Sequence, residues 1–229
     1  MIRNLQILGL TLVAIFAMSA TAASAASQGE LTSDGSVSLT GTDSTPLRIT
    51  FIKTQEYYCH THYAIGKVDV TPHGFVSGSL TTLTMAPQFE DCEMVIGANE
   101  GPGTFTMNGC DFVLHIGETV GGGSGAYGTT LDLVCPAGKE IEFHSYSNES
   151  HTTTVCTFKL GAQTGLTGAT AKNTSEGITL NGTFKGVHDT RSGLLCGGTL
   201  ESKEAELEID ALITGKNEAG AATSISLTE

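Results

Sequence analysis

Apolar and polar residues alternate with a period of two along most of this chain. "DFVLHI" (111–116) and "TTLDLV" (129–134) are the cleanest cases, and a glycine-rich stretch separates them. Such alternation turns one face of an extended segment to a core and the other to solvent, so both read as strands. Further strands are predicted at "SVSLT" (36–40), "LRITFI" (47–52), "KVDV" (67–70), "GSLTTLTM" (78–85), "EMVI" (93–96), "GTFTM" (103–107), "EIEFHSY" (140–146), "TTTVCTFKL" (152–160), "GITLNGTFKG" (177–186) and "TLES" (199–202). Turn signals fall between them at "TPHG", "NEGPG", "PAGK", "SNES" and "TRSG". "KEAELEIDALITG" (203–215) has the composition of a helix. Yet Ala205, Leu207, Ile209, Ala211 and Ile213 alternate with Glu206, Glu208 and Asp210, so it is predicted as a strand. Short strands at this spacing predict an all-β fold, an antiparallel sandwich or a barrel-like closed sheet.

The first residues break the pattern. Arg3 is followed by the uncharged apolar run "LQILGLTLVAIFAMSA" and then by "TAASAAS", where Ala23-Ser24-Ala25 has the A-x-A form of a leader-peptidase site. This predicts a signal peptide over 1–25, cut after Ala25 or Ala26. The apolar run is short for a membrane span, and no basic stop-transfer flank follows it. No later segment is apolar enough to span a bilayer, so a soluble, secreted protein is expected. Cleavage leaves roughly 200 residues, enough for a sizeable core. The organisation expected is a segment with the first strand over 26–45, one β domain over 46–214, and an edge strand or tail over 215–229.

Composition sharpens this. The formal net charge is −13, with 24 acidic against 11 basic residues. Losing Arg3 with the leader makes the remainder one unit more negative. Such a surface repels phosphate backbones, which argues against nucleic acid and anionic membranes as partners. There is no Trp and there are 29 Gly; few aromatics argue against a sugar-stacking groove.

All six cysteines, Cys59, Cys92, Cys110, Cys135, Cys156 and Cys196, follow the leader, and an even count in an exported chain predicts three disulfides. No C-x-x-C occurs, so the usual zinc spacing is missing. Six cysteines allow fifteen connectivities, and the sequence does not choose among them. Geometry bears on one. Paired as a hairpin, the two clean strands set residue 116 against 129 and Cys110 against Cys135. The sequential set 59–92, 110–135 and 156–196 is then the simplest.

The runs "NGCDFVLHIG", "LDLVCPAGKEIEF", "CTFKLGAQTGLTGATAKN" and "GLLCGGT" together resemble a family of uncharacterised secreted, cysteine-containing, β-rich proteins of soil actinobacteria of the Solirubrobacter type. The resemblance covers most of the chain after the leader. It implies an exported β-rich fold and brings no activity, cofactor or catalytic residue with it. The family outline carries no histidine pair at "YYCHTHY", so it lends no support to a family-wide metal site.

"YYCHTHY" (57–63) holds the sharpest candidate chemistry. On a strand, His60 and His62 share one face and Cys59 takes the other. An H-x-H pair can begin a metal site, but it needs a third ligand, and nothing in the spacing ties His73, His115, His144 or His151 to it. "GSGAYG" (123–128) spells a G-x-G-x-x-G, but a strand follows it where a dinucleotide site needs a helix, so it reads as a hairpin loop. Glu140 and Glu142 form an acidic pair on one strand face and read as solvated. The favoured function is a secreted, non-enzymatic β-module with a binding or structural role towards an unknown extracellular or cell-surface partner. No cofactor is expected. The alternatives are a metal-binding protein using His60 and His62, and a secreted hydrolase assembled from distant strands.

Overall fold

The computed structural model describes residues 29–33, 37–52, 55–68, 81–97, 99–120, 125–217 and 219–228. Its elements are fifteen strands: β1 (Glu30–Ser33), β2 (Val37–Asp43), β3 (Leu47–Ile52), β4 (Gln55–Val68), β5 (Thr82–Ile96), β6 (Asn99–Thr106), β7 (Asp111–Val120), β8 (Ala126–Val134), β9 (Ile141–Tyr146), β10 (Thr154–Leu160), β11 (Gln163–Asn173), β12 (Ile178–Ser192), β13 (Leu200–Lys216), β14 (Ala222–Thr223) and β15 (Ile225–Thr228). All their pairings are antiparallel.

The pairings close a barrel of eight strands, in the order β2-β4-β5-β7-β8-β11-β12-β13 and back to β2. They also close a second ring of eight, β3-β4-β5-β6-β9-β10-β12-β13 and back to β3. Both rings use β4, β5, β12 and β13, which run 14, 15, 15 and 17 residues. Their length lets one end of each strand serve one ring and the other end serve the second. In β4, Gln55–Cys59 pair with β3, whereas His62–Val68 pair with β2. Register shifts between Tyr58 and His60, and between Phe184 and Asp189, mark the change of ring. Bulges bend a strand and increase its twist, as such a change requires. Closure removes the unpaired edges that an open sheet would present.

Alternation then fills the rings. β13 buries Ala205, Leu207, Ile209, Ala211 and Ile213 and turns Glu206, Glu208 and Asp210 outward. The second ring is packed with aromatics: Phe51 stacks on Phe158 at 4.0 Å and meets Tyr57 and Phe143 edge-on at 5.7 and 5.5 Å. Apolar inside and polar outside is the reverse of a membrane-spanning barrel. β1 and β15 pair into a ribbon at the mouth of the first ring, burying Leu31, Ile225 and Leu227. The Asn173 amide clamps it from β11, donating to Leu227 O at 2.8 Å and accepting Leu227 N–H at 2.7 Å. Close packing also explains a glycine. Gly182 has φ +143°, and a Cβ there would lie 2.6 Å from Ala169 Cα.

The hairpin reading holds to the residue: Ile116 faces Thr129. Disulfides join Cys59 to Cys92, Cys110 to Cys135 and Cys156 to Cys196, the sequential set. Several expectations fail. "TRSG" is no turn through Ser192, because β12 runs to that residue. "TLES" is no separate strand but the start of β13. "NEGPG" is no turn, because β6 begins at Asn99 and the reversal is at Gly97. "EMVI" is no separate strand but the far end of β5. Residues 1–28, with the leader, and 69–80, with His73, lie outside the described residues.

Candidate functional site

"YYCHTHY" lies in β4 where that strand changes partner. β2 leaves it after Thr42, opposite His62, and β3 joins it from Leu47, opposite Cys59. The corner between them leaves the Thr61 N–H without a strand to donate to. Asp43 takes its place, its Oδ2 accepting Thr61 N–H at 2.9 Å. An unmet buried donor would cost about 1–3 kcal/mol, which gives Asp43 a structural reason to be there. The same oxygen lies 3.5 Å from His60 Nδ1. Glu90 stands opposite His60 on β5. Cys59 points inward to its disulfide while His60 is exposed, as the alternation requires. The His62 side chain lies outside the described ones. Among the described residues no group of three or more His, Cys, Asp or Glu is placed to hold a metal ion. Zinc titration of the tag-free protein is expected to show no stoichiometric, submicromolar binding. Binding of that strength, lost in His60→Ala with His62→Ala, would overturn this expectation.

Two histidines sit in ordered chains instead. On the outer face of the first ring, Thr82 Oγ1 lies 3.3 Å from His115 Nδ1, and Asp132 Oδ2 lies 2.9 Å from His115 Nε2. The Gly165 N–H donates to Asp132 Oδ1 at 2.7 Å. That donor is the largest influence and outweighs the opposing effect of burial; His115 adds to it, so the Asp132 carboxyl lies below its ordinary range. Thr82, His115 and Asp132 come from β5, β7 and β8, which are neighbours, so the chain crosses three strands. A hydroxyl, an imidazole and a carboxylate in line are the components of an activated nucleophile. The second chain is on the other ring: Thr157 Oγ1 is 3.1 Å from His144 Nδ1, and Glu142 Oε2 is 3.3 Å from Nε2. There Lys159 intervenes, donating to Glu142 at 2.7 Å and lying 3.6 Å from Glu140. Lys159 is the main cause of a lowered Glu142 carboxyl. The acidic pair Glu140 and Glu142 thus shares one cation, which offsets half of its charge.

A cleft of about 560 Å³ opens on the outside of β5 and β6 and under the 147–153 loop. Asp91, Glu93, Glu100 and Glu149 line it with His151. The His151 ring stacks on Tyr146, centroids 4.5 Å apart. Asp91 and His151 both hold left-handed backbone, φ +48° and +52°. The sequence did not single out this cleft. Its residues are scattered from 91 to 151 and only the β5–β6 hairpin and the β9–β10 loop bring them together.

No family model, curated protein or solved structure matches this chain. The reading of the site therefore rests on its chemistry.

One more group stands out by burial. Asp189 is fully buried inside the second ring, opposite Ser202 on β13, which with Arg191 and His188 favours its charged form. Arg191, two residues along the same face, donates to Gln55 Oε1 at 3.3 Å. Burial pushes the Asp189 carboxyl up, with Arg191 and His188 pulling the other way. The folded chain therefore keeps this proton where the unfolded chain has lost it. The stability it contributes is full below the unfolded value, roughly 4, and is lost as pH rises through the folded value. Relative to Asp189→Asn, the wild-type chain should lose stability as the pH of urea melts is raised from about 4 to 7. A difference that stays flat would show that the carboxyl is not buried in solution.

Proposed function

We propose that this chain is an exported, disulfide-stapled β-module that works by binding through its outer surface and not by catalysis. The observation that carries the reading is the filling of both closed rings with packed side chains. Use of a barrel as a ligand chamber needs an open interior; here aromatics occupy one ring and a terminal ribbon covers the mouth of the other. Recognition then falls to the exterior. Three disulfides suit an oxidising compartment, in line with the predicted leader. Expression of the full chain in an exporting host tests the first half of the proposal. Protein in the medium should begin at residue 26 or 27 and weigh about 6 Da less than its reduced form, as three disulfides require. Retention in the cell with the leader intact would overturn export.

A second reading, a secreted hydrolase, is favoured by the Thr82–His115–Asp132 chain. Acyl transfer also needs a recess for substrate and donors for the developing oxyanion. The acidic cleft does not supply them to Thr82. Nine residues of β5 separate Thr82 from Asp91, roughly 30 Å along the strand. Turnover of ester or amide substrates that is abolished in His115→Ala, with folding unchanged, would promote the hydrolase over the binding module. The metal reading keeps His60 and His62 as its ligands, with Asp43 as the nearest described carboxylate to His60.

A further inference from the structure

The far mouth of the second ring carries an apolar feature that the fold does not use. The loop from β12 to β13 exposes Leu194 (89 %) and Leu195 (41 %), and Leu200 (45 %) is exposed where β13 begins. It is not a loose loop. Cys196 within it is buried and bonded to Cys156 on β10, and the Leu195 N–H donates to Val155 O at 3.1 Å. Leucines presented to solvent on a braced loop have already lost the loop's conformational entropy, which removes one cost of binding a partner. Exposed apolar residues held together in this way mark an interaction site.

The charge beside the loop says what kind of partner. β9 ends and β10 begins at the same mouth, so their 147–153 loop stands next to the leucines, and it carries Glu149 and His151 of the acidic cleft. From Leu195 the path runs through Val155 on β10 and Tyr146 on β9 to Gly101 and Gly103 on β6, the cleft floor. That is three strand spacings, about 14 Å. An extended peptide of four or five residues covers that distance. Lys159 on β10 is held by Glu142 and Glu140.

We propose that this mouth docks a basic peptide segment that carries apolar residues at one end, its apolar end on Leu194 and Leu195 and its Lys or Arg side chains in the cleft of Asp91, Glu93, Glu100 and Glu149. This rests on the binding-module reading and names its partner class. Apolar contact alone would suit a lipid surface as well. Four carboxylates within one peptide length favour a cationic chain.

The test is fluorescence anisotropy of the oxidised protein with three labelled ten-residue peptides: a Lys/Leu block, the same block with Leu replaced by Ser, and a Glu/Leu block. The Lys/Leu peptide should bind at least tenfold more tightly than either control, and binding should weaken with salt. Leu194→Ser with Leu195→Ser, and separately Glu100→Gln with Glu149→Gln, should each lose at least tenfold. Glu118→Gln with Glu176→Gln, at distant exposed sites, should change nothing. Equal losses in that distant pair would reduce the effect to general attraction by an acidic surface and overturn the proposal. Binding to zwitterionic phosphatidylcholine vesicles through Leu194 and Leu195, without preference for the Lys/Leu peptide, would overturn it in favour of a lipid surface. If the leucine and cleft variants still bind the producing cells' envelope as the wild type does, the docking site is wrong while the binding-module reading stands.

Discussion

Cys59→Ser should destabilise the protein by about 2–5 kcal/mol, as loss of a native disulfide does in small secreted domains. The Cys59–Cys92 bond closes a loop with a sequence separation of 33, for which the chain-entropy model gives roughly 3–4 kcal/mol. Its place adds to this. Cys59 and Cys92 lie at the register shift between β4 and β5, where the ladder passes from Tyr58↔Glu93 to His60↔Glu90. Ladder bonds are interrupted there, so the covalent link replaces pairing at the seam common to both rings. His60, the next residue, should behave oppositely. It is exposed, and its 3.5 Å approach to Asp43 is not needed for the Thr61 bond. His60→Ala should change stability by no more than about 0.5 kcal/mol. Urea melts of the two variants under oxidising conditions check both numbers, and equal effects would refute the separation of roles.

Phe51→Ala should cost about 3–5 kcal/mol, the range for a large aromatic removed from a tight core. Phe51 is fully buried and touches three other rings, from β4, β9 and β10. β9 and β10 share no ladder with β3, whose partners are β4 and β13, so a cavity there loosens contacts made across the interior of the ring. Phe51→Leu keeps part of the volume and should cost clearly less. The melting temperatures of the two variants give the order. A Phe51→Ala protein within about 1 kcal/mol of wild type would mean that the aromatic cluster is loosely packed.

Much of the local structure was legible because alternation is a local signal. β3 matches its predicted range to the residue, and β7 and β8 keep the predicted facing of Ile116 and Thr129. The acidic-and-alanine segment of β13 is a strand because each Glu takes a solvent position between buried apolar ones. β11 escaped the alternation reading. Gly165 and Gly168 interrupt its pattern, and both have positive φ. The two-ring plan was not legible at all. It depends on β4 exchanging β2 for β3 in mid-strand, and no window of sequence records which neighbour a strand will have. For the candidate site, the number of disulfides followed from the count and the Cys110–Cys135 pair from the hairpin, while the other two pairs had no local signal; Thr82, His115 and Asp132 come from three strands and carry no motif. The cleft was hidden for the same reason.

The shared strands also dictate when folding can finish. β13 is a wall of both rings, and its residues come late, from Leu200 to Lys216. β2 and β3 must wait for it, across sequence separations of roughly 160 residues or more. Such non-local closure is slow, because the entropy of joining distant segments is spent before their contacts return it. Neither ring can therefore be completed on its own as the chain emerges. Until β13 pairs, β2 and β3 each keep one unpaired edge, so closure of either ring waits on the same late strand.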